Sequence, residues 1–453
     1  MNSKNDYIEK YFSEVYSQVY GITKKTTYKN ILIGDLVAKY YAGKGINDQN
    51  FIDWITDENY KALAQTRINE FKYKISFWSS FYENISYLYK DIVRWLRYLF
   101  VSNNYSHDVY FFISNSKFIN FFFELDNKYK EKGISTAYIF WNNKDIPENF
   151  TGNIVRVKPA LPDISNKSYW THHDFSARID RFIKIAKNIQ NKKILIPEGC
   201  LRSMHVVGRM ADYFNYEVEC LQWGFFGRTV TKAGWRDMPY SNFLVWGSYF
   251  KESFEYYNPK LLIEVAGHPN INNKAINTEK GAVLFAIQNK LGSHITKSDL
   301  INFLNYFVEI ANENLTQQFI LRTHPDLPFQ KLIEDYKLNP KNIGDNVTIH
   351  NYNEYSLEQS FLNASMCVTI SSTVALEAVA MGCYPVYLQL NQLPLQIHDE
   401  IKRVSPNKHV MDEEELALFI QSFNSNDLIS KVEPFRHKLF SKTDLFETIT
   451  ESK

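Results

Sequence analysis

The chain has 453 residues, too many for one ordinary core and suited to two domains of roughly 150 to 200 residues with additions. Hydrophobic residues make up 45% and charged residues 22%, a balance that excludes extensive disorder. With 51 Lys plus Arg against 50 Asp plus Glu there is no chain-wide field to attract nucleic acid, so no such partner is expected and any anion site must be local.

The segment Met1 to Tyr7 lacks the apolar run of a signal peptide, and no stretch of about eighteen apolar residues occurs, so a cytoplasmic, non-spanning protein is expected. Residues 1–105 read as an aromatic-rich helical region, because apolar residues recur at three- and four-residue spacing with few Gly or Pro breaks. Its densest piece, Ile75 to Phe100, carries Phe77, Trp78, Phe81, Ile85, Leu88, Tyr89, Ile92, Trp95, Leu96, Tyr98 and Leu99. Such a face builds a core or, with Lys90, Arg94 and Arg97 beside it, meets an acceptor lipid or the inner face of the cytoplasmic membrane as a peripheral contact.

From Asp108 short apolar runs alternate with helical stretches. Strands are expected at Val109 to Ile113, Thr136 to Phe140, Ile154 to Val157, Lys193 to Ile196, Val218 to Leu221, Phe243 to Trp246 and Leu261 to Val265. Strands separated by helices imply a parallel sheet covered on both faces, so 106–272 is expected to be a Rossmann-like acceptor domain. The polar stretch Asn270 to Lys280 suits a linker. A second series follows, with strands at Ala282 to Ile287, Gln318 to Leu321, Val347 to His350, Cys367 to Ile370 and Tyr384 to Leu388, and helices near Lys297 to Asn314 and Thr373 to Met381. It makes 281–400 a second Rossmann-like domain, for a nucleotide sugar, with 401–453 as a helical tail packing back on the first domain. The fold class is therefore α/β, two such domains facing an interdomain cleft.

The most informative segment runs from Cys367 through Ser371-Ser372-Thr373 and Glu377 to Gly382. A strand enters three hydroxyl residues and then a helix, which places caps, free N–H groups and the positive helix end beyond the sheet's carboxyl edge. That is an anion site, although capping alone also explains the hydroxyls. Glu377, one turn on, is in reach of a ribose hydroxyl. A second anion candidate is Arg322-Thr323-His324-Pro325, where a strand leaves its sheet and Pro325 stops it. Imidazolium or guanidinium there can neutralise a phosphate and stabilise a departing nucleotide.

In the first domain Ile194-Leu195-Ile196-Pro197-Glu198-Gly199 puts a carboxylate directly after a buried strand, with Gly199 allowing a tight turn. Glu198 can then act as base on an acceptor hydroxyl, or it forms an ion pair with Arg202 that merely orders the turn. Gln222-Trp223-Gly224-Phe225-Phe226-Gly227 follows the next strand and should line the same cleft, with His268, in Gly267-His268-Pro269, as a further contact. His172-His173-Asp174 resembles a metal-ligand fragment without a third ligand, and Cys200, Cys220, Cys367 and Cys383 lack C-x-x-C spacing, so no metal is expected and the thiols read as buried and free.

In this order, Pro197-Glu198-Gly199, His324-Pro325 and Ser371-Ser372 resemble the acidic-Gly, His-Pro and Ser-rich motifs of bacterial GT-B glycosyltransferases that use CMP-activated ulosonic acids: sialyltransferases and the Kdo transferases of capsule and lipopolysaccharide. Glu198-Gly199-Cys200-Leu201-Arg202-Ser203 is also similar to the capsule enzymes' Glu-Asp-Gly-Phe-Leu-Arg-Ser, without the second acidic residue. A further likeness, through Leu221 to Gly224, Val245 to Gly247 and Ala266 to Pro269, is to surface-polysaccharide transferases and, more distantly, UDP-sugar 2-epimerases. The resemblance spans about 108–400 and implies a metal-independent, inverting transferase that adds Kdo or a sialic-acid-like sugar to a glycan or glycolipid of a bacterial surface. Glu198 and His324 would be catalytic, and His324, Ser371, Ser372 and Thr373 would hold the CMP phosphate of the co-substrate, with no further cofactor. Arg202 or Arg322 would meet the donor carboxylate. A UDP- or GDP-sugar transferase, an epimerase-like isomerase and a non-catalytic glycan binder are the alternatives, and oligomeric state has no signature in the residues.

Overall fold

The computed structural model describes residues 4–46, 51, 54–75, 77–224, 233–268, 281–288, 296–370, 372–390, 405–406, 409–443 and 445–451. The chain divides into two compact units, one from Met1–Val245 and Lys251–Glu264, the other from Trp246–Phe250 and Val265–Ser452.

The first unit begins with α1 (Lys4–Thr23), whose Ile8, Tyr11, Phe12, Val15 and Val19 form one buried stripe at helical spacing. A hairpin that the sequence reading did not anticipate follows, β1 (Thr27–Tyr28) paired antiparallel with β2 (Ile31–Leu32). Lys29 and Asn30 between them both have positive φ, 47° and 67°, the backbone of a type I′ turn. Next come α2 (Gly34–Ala42), which packs on α1, then α3 (Tyr60–Lys74) and α4 (Phe77–Arg97).

The unit's sheet holds β3 (Val109–Ile113), β4 (Thr136–Phe140) after α5 (Ile119–Glu131), and β5 (Ile154–Arg156). After α6 (Lys167–Thr171) and α7 (His173–Ala186) come β6 (Lys193–Pro197), α8 (Arg202–Phe214), β7 (Glu217–Leu221), β8 (Asn242–Val245), α9 (Ser248–Glu255) and β9 (Leu262–Val265). Its order is β5-β4-β3-β6-β7-β8-β9, parallel from β5 to β8, and β3, β4 and β8 are buried at every position, as strands covered on both faces must be. The strand order reverses between β3 and β6. In open α/β sheets the crevice beyond the carboxyl ends at such a reversal is where ligands bind.

The second unit repeats the plan. β10 (Ala282–Ala286), α10 (Lys297–Glu313), β11 (Phe319–Arg322), α11 (Phe329–Tyr336), β12 (Val347–His350), α12 (Leu357–Leu362) and β13 (Ala364–Thr369) lead to α13 (Val374–Ala380) and β14 (Tyr384–Leu388). The sheet order is β12-β11-β10-β13-β14-β15, all parallel, with β15 (Val410–Met411) as an unanticipated edge strand. Its reversal lies between β10 and β13. A capping box of Thr296 and Asp299 starts α10 where the sequence places it. The chain ends in α14 (Glu413–Ser422), α15 (Ser425–Leu439) and α16 (Leu445–Glu451); α15 packs on α13, β13 and β14, and Arg436 Nε donates to Ala380 O at 2.6 Å. The expected linker Asn270 to Lys280 lies outside the described residues, as do Phe225 to Gly227 and Pro269. No described helix is long and apolar enough to cross a membrane.

Candidate functional site

Both reversal points carry residues singled out in the sequence. In the first unit β6 ends at Pro197, and Glu198 and Gly199 follow with φ of 67° and 81°. Two consecutive left-handed residues turn the chain sharply away from the sheet. For Gly199 this is free of strain; for Glu198 it costs about 1–3 kcal/mol, a conformation that persists only where the surroundings impose it.

The surroundings do so. Glu198 N–H donates to Leu221 O at 2.9 Å, tying the turn to β7, while the Tyr240 hydroxyl donates to Gly199 O and the Tyr40 hydroxyl to Cys200 O at 3.0 Å. A Cβ on Gly199 would run into Cys220 Sγ. Beneath the turn, buried His205 donates from Nε2 to Gly234 O at 2.9 Å, so its Nδ1 accepts from Lys39 Nζ at 2.8 Å. Burial, with the neighbouring Lys39 charge, pushes His205 well below the usual range and keeps the ring neutral. Lys39 is itself lowered to about 7 by burial, against the pull of Asp35 and Asp237, and also donates to Arg236 O at 2.9 Å. Glu198 is half-buried on this platform.

Arg202 opens α8 but does not pair with Glu198 through its Nη1, which meets Asp174 Oδ2 at 2.8 Å while the guanidinium lies over the Tyr40 ring. Gln222, at the end of β7, is buried and donates to Gly224 O at 3.0 Å, fixing that turn from within. Trp223 packs edge-on against Phe118 and Phe121 at centroid distances of 5.0 and 5.1 Å and stays partly exposed. His268 requires a correction. Its ring is 5% exposed, enclosed by Trp246 at 4.3 Å and Phe440 at 5.5 Å, and burial lowers it to about 3. It is a neutral packing residue, not a ligand contact.

In the second unit Thr369 ends β13 beside β10 and donates across the reversal to Ala286 O at 3.2 Å. Ser371 lies outside the described residues. Ser372 Oγ accepts from Val374 N–H at 3.3 Å, whereas Thr373, at the N-cap position, makes no side-chain cap. The helix is short and ends at Gly382, φ 73°, with Gly382 N–H to Val379 O at 3.0 Å and Cys383 N–H to Ala378 O at 2.8 Å, a left-handed glycine stop.

His324 and Pro325 form a tight turn after β11 in which Leu327 N–H returns to His324 O at 2.9 Å. Asp326 N–H donates to His324 Nδ1 at 3.2 Å, so the neutral ring carries its proton on Nε2. Burial lowers this histidine despite Asp326, so the expected imidazolium is replaced at neutral pH by a neutral Nε2–H donor. Arg322 is 6% exposed and its Nη1 donates to Tyr355 O and Ser356 O, both at 3.1 Å, and to Ser360 Oγ at 2.6 Å. That arm of the guanidinium braces the start of α12 rather than reaching for a donor carboxylate. Glu377, half-buried, is pushed up to about 7 by burial, with Arg322 opposing.

His172 and His173 separate, as adjacent residues do: the first stacks on Phe71 at 6.4 Å, the second meets Asp91 Oδ2 at 2.9 Å. All four cysteines are free, and Cys220, Cys367 and Cys383 are buried. The residues that hold the Glu198 turn, Tyr40, Lys39, His205 and Tyr240, carry no local signal in the sequence, because they converge from separate elements.

No protein-family model matches the chain, and no curated protein sequence matches it significantly. Among solved structures it is similar to the glycotransferase of kitacinnamycin, 11% identical with a TM-score of 0.47, covering 76% of this chain and 98% of that one. The UDP-GlcNAc 2-epimerase of Methanocaldococcus jannaschii is 14% identical, TM-score 0.46, over the same shares of 76% and 98%. A spinosyn rhamnosyltransferase complexed with thymidine diphosphate is 7% identical, TM-score 0.45, again over 76% and 98%.

Proposed function

We propose that this chain is a GT-B glycosyltransferase, metal-independent and inverting, that moves a CMP-activated ulosonic acid, Kdo or a sialic-acid-like sugar, onto a glycan or glycolipid acceptor of a bacterial surface. The observation that carries the reading is Glu198. A carboxylate stands in left-handed backbone at the reversal point of a parallel sheet, braced by Tyr240, Tyr40 and β7. Strain of that kind is maintained where a group must be held in one orientation.

As base, Glu198 takes the proton of the acceptor hydroxyl while that oxygen bonds the anomeric carbon and the bond to the CMP phosphate oxygen breaks. The electron pair of the broken bond leaves with the nucleotide, and attack from the opposite face inverts the centre without a covalent intermediate. The second unit would receive the departing charge, with His324 Nε2–H donating to the phosphate. Ser372 and the reversal-point turn support the same phosphate, and Glu377 is suited to a ribose hydroxyl. Trp223, partly exposed after β7, offers a face for an acceptor sugar. CMP as the nucleotide rests on the order of the Glu-Gly, His-Pro and Ser-Ser motifs.

Purified protein is incubated with single nucleotide sugars and acceptor, and nucleotide release is followed. CMP release from a CMP-ulosonic acid is the expected outcome. Release from UDP- or GDP-sugars alone would replace the donor, and a changed donor sugar appearing without acceptor would replace transfer by epimerisation.

A further inference from the structure

The first unit contains a cavity of about 540 Å³ bounded by α2, α3 and α4 on one side and by α6, α7 and α8 on the other. Among the described residues six cations line it, Lys44, Lys74, Arg94, Arg178, Arg181 and Arg202, against one lining carboxylate, Asp174. Like charges gathered in a concavity repel unless an anion joins them. The strain is visible in Lys44, which is lowered first by the charge of Lys74, then by burial and by Arg67.

Partners within the protein absorb only part of this charge. Asp174 binds Arg178 Nη2 and Arg202 Nη1, both at 2.8 Å, and although burial works to raise its carboxyl, the two guanidinium groups hold it below the ordinary range. Asp91 takes Arg94 at 3.0 Å and is also held by Tyr169 and His173 at 2.9 Å each. Arg178 Nε and Arg181 Nε remain buried with no hydrogen-bond partner among the described residues. Arg181 is lowered to about 10 by burial, with Arg94 and Arg178 adding repulsion. A buried guanidinium donor without an acceptor costs about 1–3 kcal/mol.

Much of the rest of the wall is aromatic. Tyr40, Tyr41, Phe71 and Tyr87 line the cavity, as does His172, which burial and Lys167 lower to about 4 and so keep neutral. Flat faces beside fixed donors suit a sugar ring carrying charged substituents. Concavity and volume are those of a small-molecule site, and a planar array of lipid headgroups would not enter it. Tyr40 and Arg202 connect it to the proposed base, since the Tyr40 hydroxyl holds Cys200 O at 3.0 Å and Arg202 begins the helix after the Glu198 turn.

We infer that this cavity is a binding site for a saccharide bearing at least two phosphate or carboxylate groups. Identifying that ligand as the charged end of the acceptor rests on the transferase reading; the binding itself does not.

Titration calorimetry of the full chain at about 50 mM salt tests it, with inorganic pyrophosphate and glucose 1,6-bisphosphate as probes and maltose as the uncharged control. Both anions should bind and maltose should not. The double variant Lys44→Gln, Lys74→Gln alters two exposed side chains, so it will fold, and it should weaken both anions at least tenfold while CMP affinity stays unchanged. Arg178→Gln should weaken them further, with a thermal melt confirming the fold. Absent binding of the anions, undiminished binding in the lysine double variant, or binding to phosphatidylglycerol vesicles that the bisphosphate does not displace would each overturn the site. Anion binding that follows the variants in a protein releasing no nucleotide would uphold the site and discard the transferase.

Discussion

The two reversal points share a topology and differ in chemistry. In the first unit the strand end carries a carboxylate on strained backbone, locked by two tyrosine hydroxyls and a neighbouring strand. In the second the chain after β13 carries hydroxyls and a Glu377 near half-protonation at neutral pH, and a neutral His324 follows β11, the strand next to β10. One end is built to hold a group still. The other is built from groups whose charge an arriving anion can change, because partial burial has moved their protonation equilibria towards the neutral form. Two parallel sheets of the same plan supply them, so the division of labour lies in the loops.

The largest expected effect falls on the rigid end. Glu198→Gln should lower turnover by about 10²–10⁴-fold with the melting temperature and CMP affinity retained. Turnover that survives this change would remove Glu198 as the base.

Gly199→Ala tests whether rigidity comes from the backbone. At φ 81°, with its new Cβ against Cys220 Sγ, alanine should cost about 2–4 kcal/mol in urea unfolding. A cost under about 1 kcal/mol would mean that the turn relaxes and does not store strain.

The pliable end should reveal itself through pH. Glu377 sits at about 7 when folded against an ordinary 4.5, so the folded chain keeps a proton that the unfolded chain releases. Its contribution to stability is therefore full below about 4.5 and falls as pH rises through about 7, and Glu377→Gln should flatten that slope in denaturation measured at several pH values. Nucleotide affinity should also weaken over the upper part of this window as Glu377 acquires charge near the phosphate, and should not do so in the glutamine variant.

The smallest effect separates a brace from a base. Tyr240→Phe deletes one buried hydrogen bond to Gly199 O and should cost about 1 kcal/mol while leaving a measurable fraction of turnover. Loss of all turnover without loss of stability would show that the hydroxyl acts on substrate.

The periodic parts of the fold were legible because burial writes itself into residue type. Val109–Ile113, Thr136–Phe140, Val347–His350 and Tyr384–Leu388 are strands with the bounds their apolar runs suggest. The hairpin at Thr27–Leu32 and the edge strand Val410–Met411 were missed because two-residue strands have no period to detect. The positions of Glu198, His324 and Ser372 beyond strand ends were equally readable, since a polar residue that directly follows a buried strand has to leave the sheet.

What the chain's order of residues determined by itself was two α/β series and the polar groups at their strand ends. Tertiary structure alone decided which strand ends flank a reversal, because strand order depends on pairing between distant segments. It likewise decided protonation, lowering His324, raising Glu377 and enclosing His268 between Trp246 and Phe440, since desolvation is a property of surroundings and not of a motif. It also gathered six cations from α2, α3, α4, α7 and α8 and the chain beside them around one cavity, a clustering that near-neutral composition concealed.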